Sequence, residues 1–521
     1  MFIAARTIGA LSPILVGLGQ LATAPAGPQL FARRAQRCAE AGLCIARLDI
    51  RNAYNSLERC RVIEVLDHMI SEARQWHHDA GSLMALRAAY GSSEEVFWRR
   101  RSGPPVIFTN ERGITQGCPA GVLTFGAVMA DILDRTRRDL KGGGIEAAPL
   151  PPKGQPLPAD SAVGYTALHD DVVFAAADQE LLLVAVQTFK ANLAAAGMEL
   201  GIGDGKSILL IDDAADLTPD ILEAFAGQRA SVAKCAGIPV HAPTPAARTR
   251  ANSMLASTVR ERLQPLRALR HAHPQDAVNV ITAAGARSRT QYFAALTPEA
   301  APWPALRQEA DDLTRLMLGH ALGKEAVATT ELQYLVALLP ASAGGLGIRS
   351  CLLEGRLDRH ASRILDARDA GSADELEDAQ AAYERASVDL HRQLVSLAWR
   401  AVREDDHDIV QLSHQKQVAA LWTTNVSHND RTLMTPRVAS KVLAMHLLTA
   451  PVSQVVPCGE PRQFRAGGFT GSTPSVGPTG VHRGHVYTCK HLTTSRHSAV
   501  CLAARRRPLP RPPGCPPRAG L

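Results

Sequence analysis

The run Leu43-Cys-Ile-Ala-Arg-Leu-Asp-Ile50 is apolar apart from two charges, and it predicts a buried strand that delivers Asp49 at its end. Leu57, Val62, Ile63, Leu66 and Ile70 then recur mostly at three- and four-residue steps, which predicts a long amphipathic helix. A second helix is expected from about Pro119, with Leu123, Val128, Met129, Ile132 and Leu133 on its buried face. The Gly- and Pro-rich stretch Lys141 to Asp160 follows neither period and predicts a surface loop. Next, Tyr165-Thr-Ala-Leu-His-Asp-Asp-Val-Val-Phe-Ala-Ala176 reads as two apolar strands joined by a turn at Asp170-Asp171, and a helix is expected from Leu182 to Ala196. Beyond residue 245 alanine and leucine recur at helical steps, so residues 246 to 450 read as mostly helical, with the acidic run Asp366 to Glu384 on a solvated face.

Composition narrows the class. With 521 residues, two to four domains are expected, and a hydrophobic fraction of 46% is ample for a sizeable core. Ten cysteines without paired spacing fit reduced thiols in a nuclear or cytoplasmic protein rather than a disulfide framework. The apolar stretch Ile8 to Ala26 contains Pro13 and Gly17 and has one preceding arginine, so secretion is not expected; no later stretch is long enough to span a membrane. The formal charge of +7 belongs to the tail, because residues 451 to 521 hold ten Lys and Arg against Glu460 alone, leaving −2 for residues 1 to 450. Within the helical half, Arg248 to Arg270, with Arg250, Arg260, Arg262 and Arg267, is either a groove that tracks a nucleic-acid backbone or a solvated helix face, and Pro265 should kink or split any helix there.

The candidate chemistry lies in the first half. Two adjacent carboxylates on a turn repel each other, which raises at least one pKa unless a cation sits between them. Alone, Asp170-Asp171 is an ordinary solvated turn. With a strand-end Asp49 it becomes part of a set of three carboxylates suited to two hard cations that keep substrate phosphates among their ligands.

Between these acids stands Asn110-Glu-Arg-Gly-Ile-Thr-Gln-Gly-Cys-Pro-Ala-Gly-Val-Leu-Thr-Phe125. The spacing of Gly113, Gln116, Gly117, Pro119 and Phe125, between an aspartate-ended strand and an Asp-Asp hairpin, resembles the glycine-glutamine motif of reverse transcriptases, most strongly those encoded by non-LTR retrotransposons. The resemblance implies an RNA-directed DNA polymerase. Its fold class would be α+β, a right-hand polymerase palm of antiparallel sheet backed by helices over residues 1 to 245 with partial fingers, then a largely helical thumb and connector over 246 to 450. It further implies Asp49, Asp170 and Asp171 as ligands of two Mg²⁺ ions, and Tyr54, five residues after Asp49, as an aromatic gate favouring deoxynucleotides. Gly113, Gln116 and Gly117 would line template and nucleotide. Lys206, in Gly197-Met-Glu-Leu-Gly-Ile-Gly-Asp-Gly-Lys-Ser207, would protonate the leaving pyrophosphate. Ala236-Gly-Ile-Pro-Val240 resembles the primer grip, and Leu338-Leu-Pro340 with Gly344-Gly-Leu-Gly-Ile348 resembles a segment downstream of the polymerase core. Arg248, Arg260 and Arg267 become the candidate nucleic-acid contacts. The implied partners are an RNA template, a DNA primer or target and deoxynucleoside triphosphates, with no membrane.

Several features depart from that pattern. Leu168 stands where the family has an aromatic residue, and His169, in the variable position, reads as an exposed turn histidine. Only 48 residues precede Asp49, so the fingers are expected to be truncated, although Gly17-Leu-Gly19 and Pro28-Gln29 loosely resemble the family's approach to that motif; no endonuclease domain is expected. Residues 451 to 521 read as a basic, Pro/Gly-rich, disordered tail with a degenerate Cys/His segment, in which Cys458, His485 and Cys489 fall one ligand short of a four-ligand Zn²⁺ site. Short fingers and an incomplete tail keep open a second reading, a decayed copy that binds nucleic acid without catalysis.

Overall fold

The computed structural model describes residues 11–75, 80–90, 94–98, 103–104, 106–110, 112–114, 119–203, 206–323, 329–340 and 345–404. They divide into two compact units. The first holds the described residues up to Ser257 together with Ala295–Pro302 and Arg359–Ala382, and the second holds Thr258–Ala294, Trp303–Asp358 and the residues from Tyr383.

In the first unit, helix α1 (residues 11–17) and α2 (Gly27–Glu40) lead into β1 (Cys44–Arg51), the strand predicted to end in Asp49. A short α3 (Ala53–Ser56) and α4 (Arg59–Gln75) follow, then α5 (Gly81–Tyr90), β2 (Glu94–Trp98) and β3 (Val106–Asn110). The helix expected from Pro119 is α6 (Pro119–Gly142), with all five predicted apolar positions in the core. Next come β4 (Glu146–Pro149), β5 (Ala162–Leu168), β6 (Asp171–Ala176) and α7 (Gln179–Ala195). The chain then forms β7 (Glu199–Leu200), β8 (Ile208–Leu210), α8 (Pro219–Ala224), β9 (Arg229–Ala230), β10 (Val232–Cys235) and β11 (Ile238–His241).

Strand β1 is central to a seven-stranded sheet of order β4-β5-β6-β1-β8-β9, with β7 also on β1. Alternation sets which side chains go where. Cys44, Ala46, Leu48 and Ile50 enter one core with Val172, Phe174 and Ala176 of β6 and with α4, α6 and α7. The other parity, Arg47 and Asp49 beside Asp171, forms the polar end of the opposite face, because Asp49 pairs across the ladder with Asp171. Toward the start of β1 that face is buried too, at Ile45, Val173 and Ala175, and α2 runs against β1, β5 and β6.

Three expectations need correction. The sheet is mixed rather than antiparallel, since β4–β5 and β8–β9 are parallel. Moreover, Lys141–Asp160 is not wholly loop: Glu146–Pro149 adds an edge strand with Ala147 buried, in a stretch of Ala and Pro too short to show a period. The acidic run also departs from a solvated face. Asp369 of α15 (Leu357–Ala370) is buried, pairing with Arg34 of α2 at 3.0 Å and Arg37 at 3.3 Å, while Asp366 pairs with Arg33 and with Lys153.

Helix α9 (Pro245–Leu263) ends just before Pro265, and the chain continues as a 3-10 helix over Gln264–His271, as a proline that lacks an N–H would impose. The second unit is helical: α10 (Pro274–Ala284), α11 (Ala286–Leu296), α12 (Trp303–Ala321), α13 (Glu331–Leu338), α14 (Cys351–Glu354) and the later part of α16 (Ala373–Glu404). Leu346 and Ile348 return to its core, with both amides donating to the Ala337 carbonyl, at 3.1 and 3.2 Å. Asp358 is buried between Arg287 at 2.7 Å and Arg307 at 2.9 Å. All described cysteines are free, and no helix among the described residues is long and apolar enough to cross a membrane.

Candidate active site

Three carboxylates meet at one end of the central sheet. Asp49 lies two residues from the end of β1, Asp171 begins β6 as its cross-strand partner, and Asp170 occupies the two-residue turn between β5 and β6. That turn is tight because His169 takes a left-handed conformation, φ 55°. A buried glutamine fixes it: Gln20 Oε1 accepts from the His169 amide at 3.0 Å and its Nε2 donates to the His169 carbonyl at 3.3 Å.

Each acid has a different environment. Asp171 accepts from Arg47 at 2.9 Å, and the other guanidinium nitrogen of Arg47 donates to the Lys206 carbonyl at 2.7 Å. Burial nonetheless keeps the Asp171 carboxyl above its ordinary value, outweighing Arg47. Asp170 is also raised, by burial first and then by the charges of Asp171 and Asp49, against the lowering influence of its backbone hydrogen bond and Lys206. Asp49 has Lys206 Nζ 3.5 Å from its Oδ2, with the lysine side chain 60% exposed at the rim. The loop that carries Lys206 is tied to the same strand: Gly201 N donates to the Asp49 carbonyl at 2.8 Å, and the Asp49 amide donates to Ser207 Oγ at 3.1 Å. Strands β7 and β8 flank that loop and both pair with β1, so Lys206 is held beside Asp49 by the sheet itself.

Tyr54 forms the wall. Its ring stacks on Phe125 of α6 at 4.5 Å and 18°, and its hydroxyl lies 3.1 Å from His169 Nδ1. Burial, helped by the Asp170 charge, pushes the phenol up to about 12, so it stays protonated. Burial also lowers His169, with Asp171 opposing. His169 is therefore half-buried and bonded, not the exposed turn residue expected. Gly113 packs against the segment that carries Tyr54: its amide donates to the Leu57 carbonyl at 2.8 Å, and the next amide, Ile114, donates to the Tyr54 carbonyl at 2.7 Å.

Asp49, Asp170, Asp171, Tyr54, Gly113 and Lys206 thus come together. Gln116 and Gly117 lie outside the described residues, as do Gly344, Cys458, His485 and Cys489. Arg248 and Arg267 are exposed; Arg248 belongs to the first unit, Arg260 and Arg267 to the second. Arg260 is bound through two nitrogens by Glu309, at 2.8 and 2.6 Å, and Arg250 pairs with Asp213, which neutralises part of the basic stretch. The segment Ala236–Val240 comprises the tight Ala236-Gly237 turn that joins β10 to β11 and the first three residues of β11. Sequence reasoning missed Gln20, Arg47, Phe125 as a stacking partner, and Ser207. For Arg47 a signal exists, since a lone arginine two positions before a strand-end acid must share its face.

The residues test unevenly for a metal. The oxygen donors suit a hard cation, and burial, together with the neighbouring carboxylates, holds Asp170 and Asp171 above the ordinary carboxylate range. As the side chains stand, with Asp171 drawn to Arg47, no group of three or more His, Cys, Asp and Glu is disposed around a metal position among the described residues.

No protein-family model matches the chain, and no curated protein matches it. Among solved structures, telomerase from Candida albicans in complex with a TWJ fragment of telomeric RNA matches at 10% identity and a TM-score of 0.34, over 62% of this chain and 54% of that one. The chain therefore spans about half the length of that telomerase chain.

Proposed function

We propose that the first unit is a nucleotidyltransferase site of reverse-transcriptase type, in which a primer 3′-hydroxyl is extended on an RNA template. The observation that carries this reading is the pairing of Asp49 with Asp171 across β1 and β6, with Asp170 on the adjoining turn and Lys206 Nζ 3.5 Å from Asp49. Asp49 and Asp170 would hold divalent cations, with Asp171 joining them on release from Arg47. Bound there, Mg²⁺ would supply Lewis acidity toward the phosphoryl group and its leaving pyrophosphate. Lys206, exposed at the rim beside Asp49, would donate a proton to that leaving group. Tyr54, wedged between Phe125 and His169 beside Asp170, would limit the room at the nucleotide sugar. The resemblance to proteins of non-LTR retrotransposons supports deoxynucleoside triphosphates as substrates and RNA as template.

A second reading has its own observation. The Arg47–Asp171 pair withdraws one carboxylate from the set, as expected of a chain that binds nucleic acid without turnover. Extension of oligo(dT) on poly(rA) with Mg²⁺ and dTTP separates the two. Extension supports the polymerase; binding of the primed template with no extension supports the second reading.

A further inference from the structure

The contact between Tyr54 and His169 has no counterpart in the resemblance stated above, which leaves the position of His169 free to vary. We infer that His169 is a positioning residue for the Tyr54 ring and so sets how strictly the site discriminates between deoxyribose and ribose. This rests on the polymerase reading and adds a determinant to it.

The argument is geometric. An aromatic ring can exclude a hydroxyl group only if it cannot swing aside, and Tyr54 is held at two points. One is the Phe125 face at 4.5 Å; the other is the hydroxyl at 3.1 Å from His169 Nδ1. His169 can serve as an anchor because its own backbone is fixed, in a left-handed conformation and gripped on both its N–H and its C=O by Gln20, which is fully buried. Gln20 in turn is set by the parallel bridge to Ala167 of β5 and by the Ala22 amide, which donates to its Oε1 at 3.0 Å. The chain Gln20, His169, Tyr54 thus couples the strand that precedes the acids to the wall of the site. With His169 protonated on Nε2, the Tyr54 hydroxyl donates to Nδ1.

The test compares wild type with Tyr54→Phe, His169→Leu, His169→Asn and the double variant Tyr54→Phe/His169→Leu, in the full chain. Tyr54→Phe keeps the ring and its stacking and removes only the hydroxyl, so it carries no folding risk from the left-handed position. Asn tolerates that conformation and can place a polar atom where Nδ1 lies. Two readouts are taken: the ratio of KM for UTP to KM for dTTP during extension, and the ratio of Kd for ATP to Kd for dATP by calorimetry with Mg²⁺. Tyr54→Phe and His169→Leu should each lower these ratios by about 5-fold, as expected for one hydrogen bond. The double variant should equal either single one, and His169→Asn should restore the wild-type ratio. Unchanged ratios in Tyr54→Phe, or effects of the two single changes that multiply in the double variant, would overturn the assignment. A wild type that extends no primer overturns the polymerase reading, and the calorimetric ratio then decides this proposal by itself. A preference for dATP that both single variants lose supports it, and absence of any preference sinks it.

Discussion

Replacing Gly113 by alanine probes the closest backbone approach at the site. Gly113 has φ +79°, and a Cβ there would lie 2.6 Å from the Tyr54 carbonyl oxygen, 2.8 Å from Asn55 Cα and 3.0 Å from the Asn55 carbonyl oxygen. All three are main-chain atoms, so no side chain can rotate away. A left-handed conformation costs an L-residue about 1–2 kcal/mol. Forcing a methyl group into a filled space adds about 1–3 kcal/mol. The sum, roughly 2–5 kcal/mol, is a large part of the stability of a typical domain. The same change strains the bond from Ile114 N to the Tyr54 carbonyl, so Tyr54 should shift and sugar discrimination should loosen. Denaturant unfolding followed by fluorescence, with the two units resolved as separate transitions where they differ, measures the loss. A Gly113→Ala chain within about 1 kcal/mol of wild type, with unchanged discrimination, would refute the claim that this glycine is required by the approach to residues 54 and 55.

Other outcomes follow from the charges. In metal-free protein Asp170 and Asp171 both titrate above their unfolded value, so between that value and their raised folded values the native state holds protons that the unfolded chain has released. Stability should therefore fall as pH rises through that window and recover on acidification, and Asp170→Asn should flatten the dependence in thermal melts taken in EDTA. Lys206→Ala should lower kcat by about 10²-fold or more while leaving primed-template affinity within about 2-fold; an equal loss in both would assign Lys206 to binding rather than proton transfer. In the second unit, Arg287→Ala leaves the buried Asp358 carboxylate with Arg307 alone and should cost about 3–5 kcal/mol in denaturant unfolding, whereas a change at the exposed Arg267 should cost under about 0.5 kcal/mol.

The elements that carry the acids were legible because strong apolar runs announce them. Leu43–Ile50 and the two halves around Asp170-Asp171 become β1, β5 and β6, and the five positions predicted for α6 are buried. What stayed hidden depends on pairing between distant segments. Arg47 lies 124 residues from Asp171 in sequence, and only the register of β1 against β6 makes them neighbours. Asp369 reads as one more acid in a solvated run, yet its partner Arg34 stands 335 residues away, and local charge pattern holds no trace of that ion pair. Strand β4 escaped because a four-residue edge strand in a Pro-rich stretch borrows its conformation from β5 rather than from its own alternation. His169 was misjudged for a similar reason: a histidine on a turn is exposed by default, and its burial comes from Gln20 and Tyr54, 149 and 115 residues away in sequence.

The central claim is that Asp49, Asp170 and Lys206 form a site for nucleotidyl transfer. It is tested most directly by primer extension on poly(rA)/oligo(dT) with Mg²⁺ and dTTP, comparing wild type with Asp170→Ala under conditions where both bind the primed template equally. The account predicts extension by wild type and none above background by Asp170→Ala, whose fold should be at least as stable because a half-buried charge beside two other acids has been removed. Extension by Asp170→Ala at the wild-type rate, or a folded wild type that binds the primed template and adds no nucleotide, would contradict it.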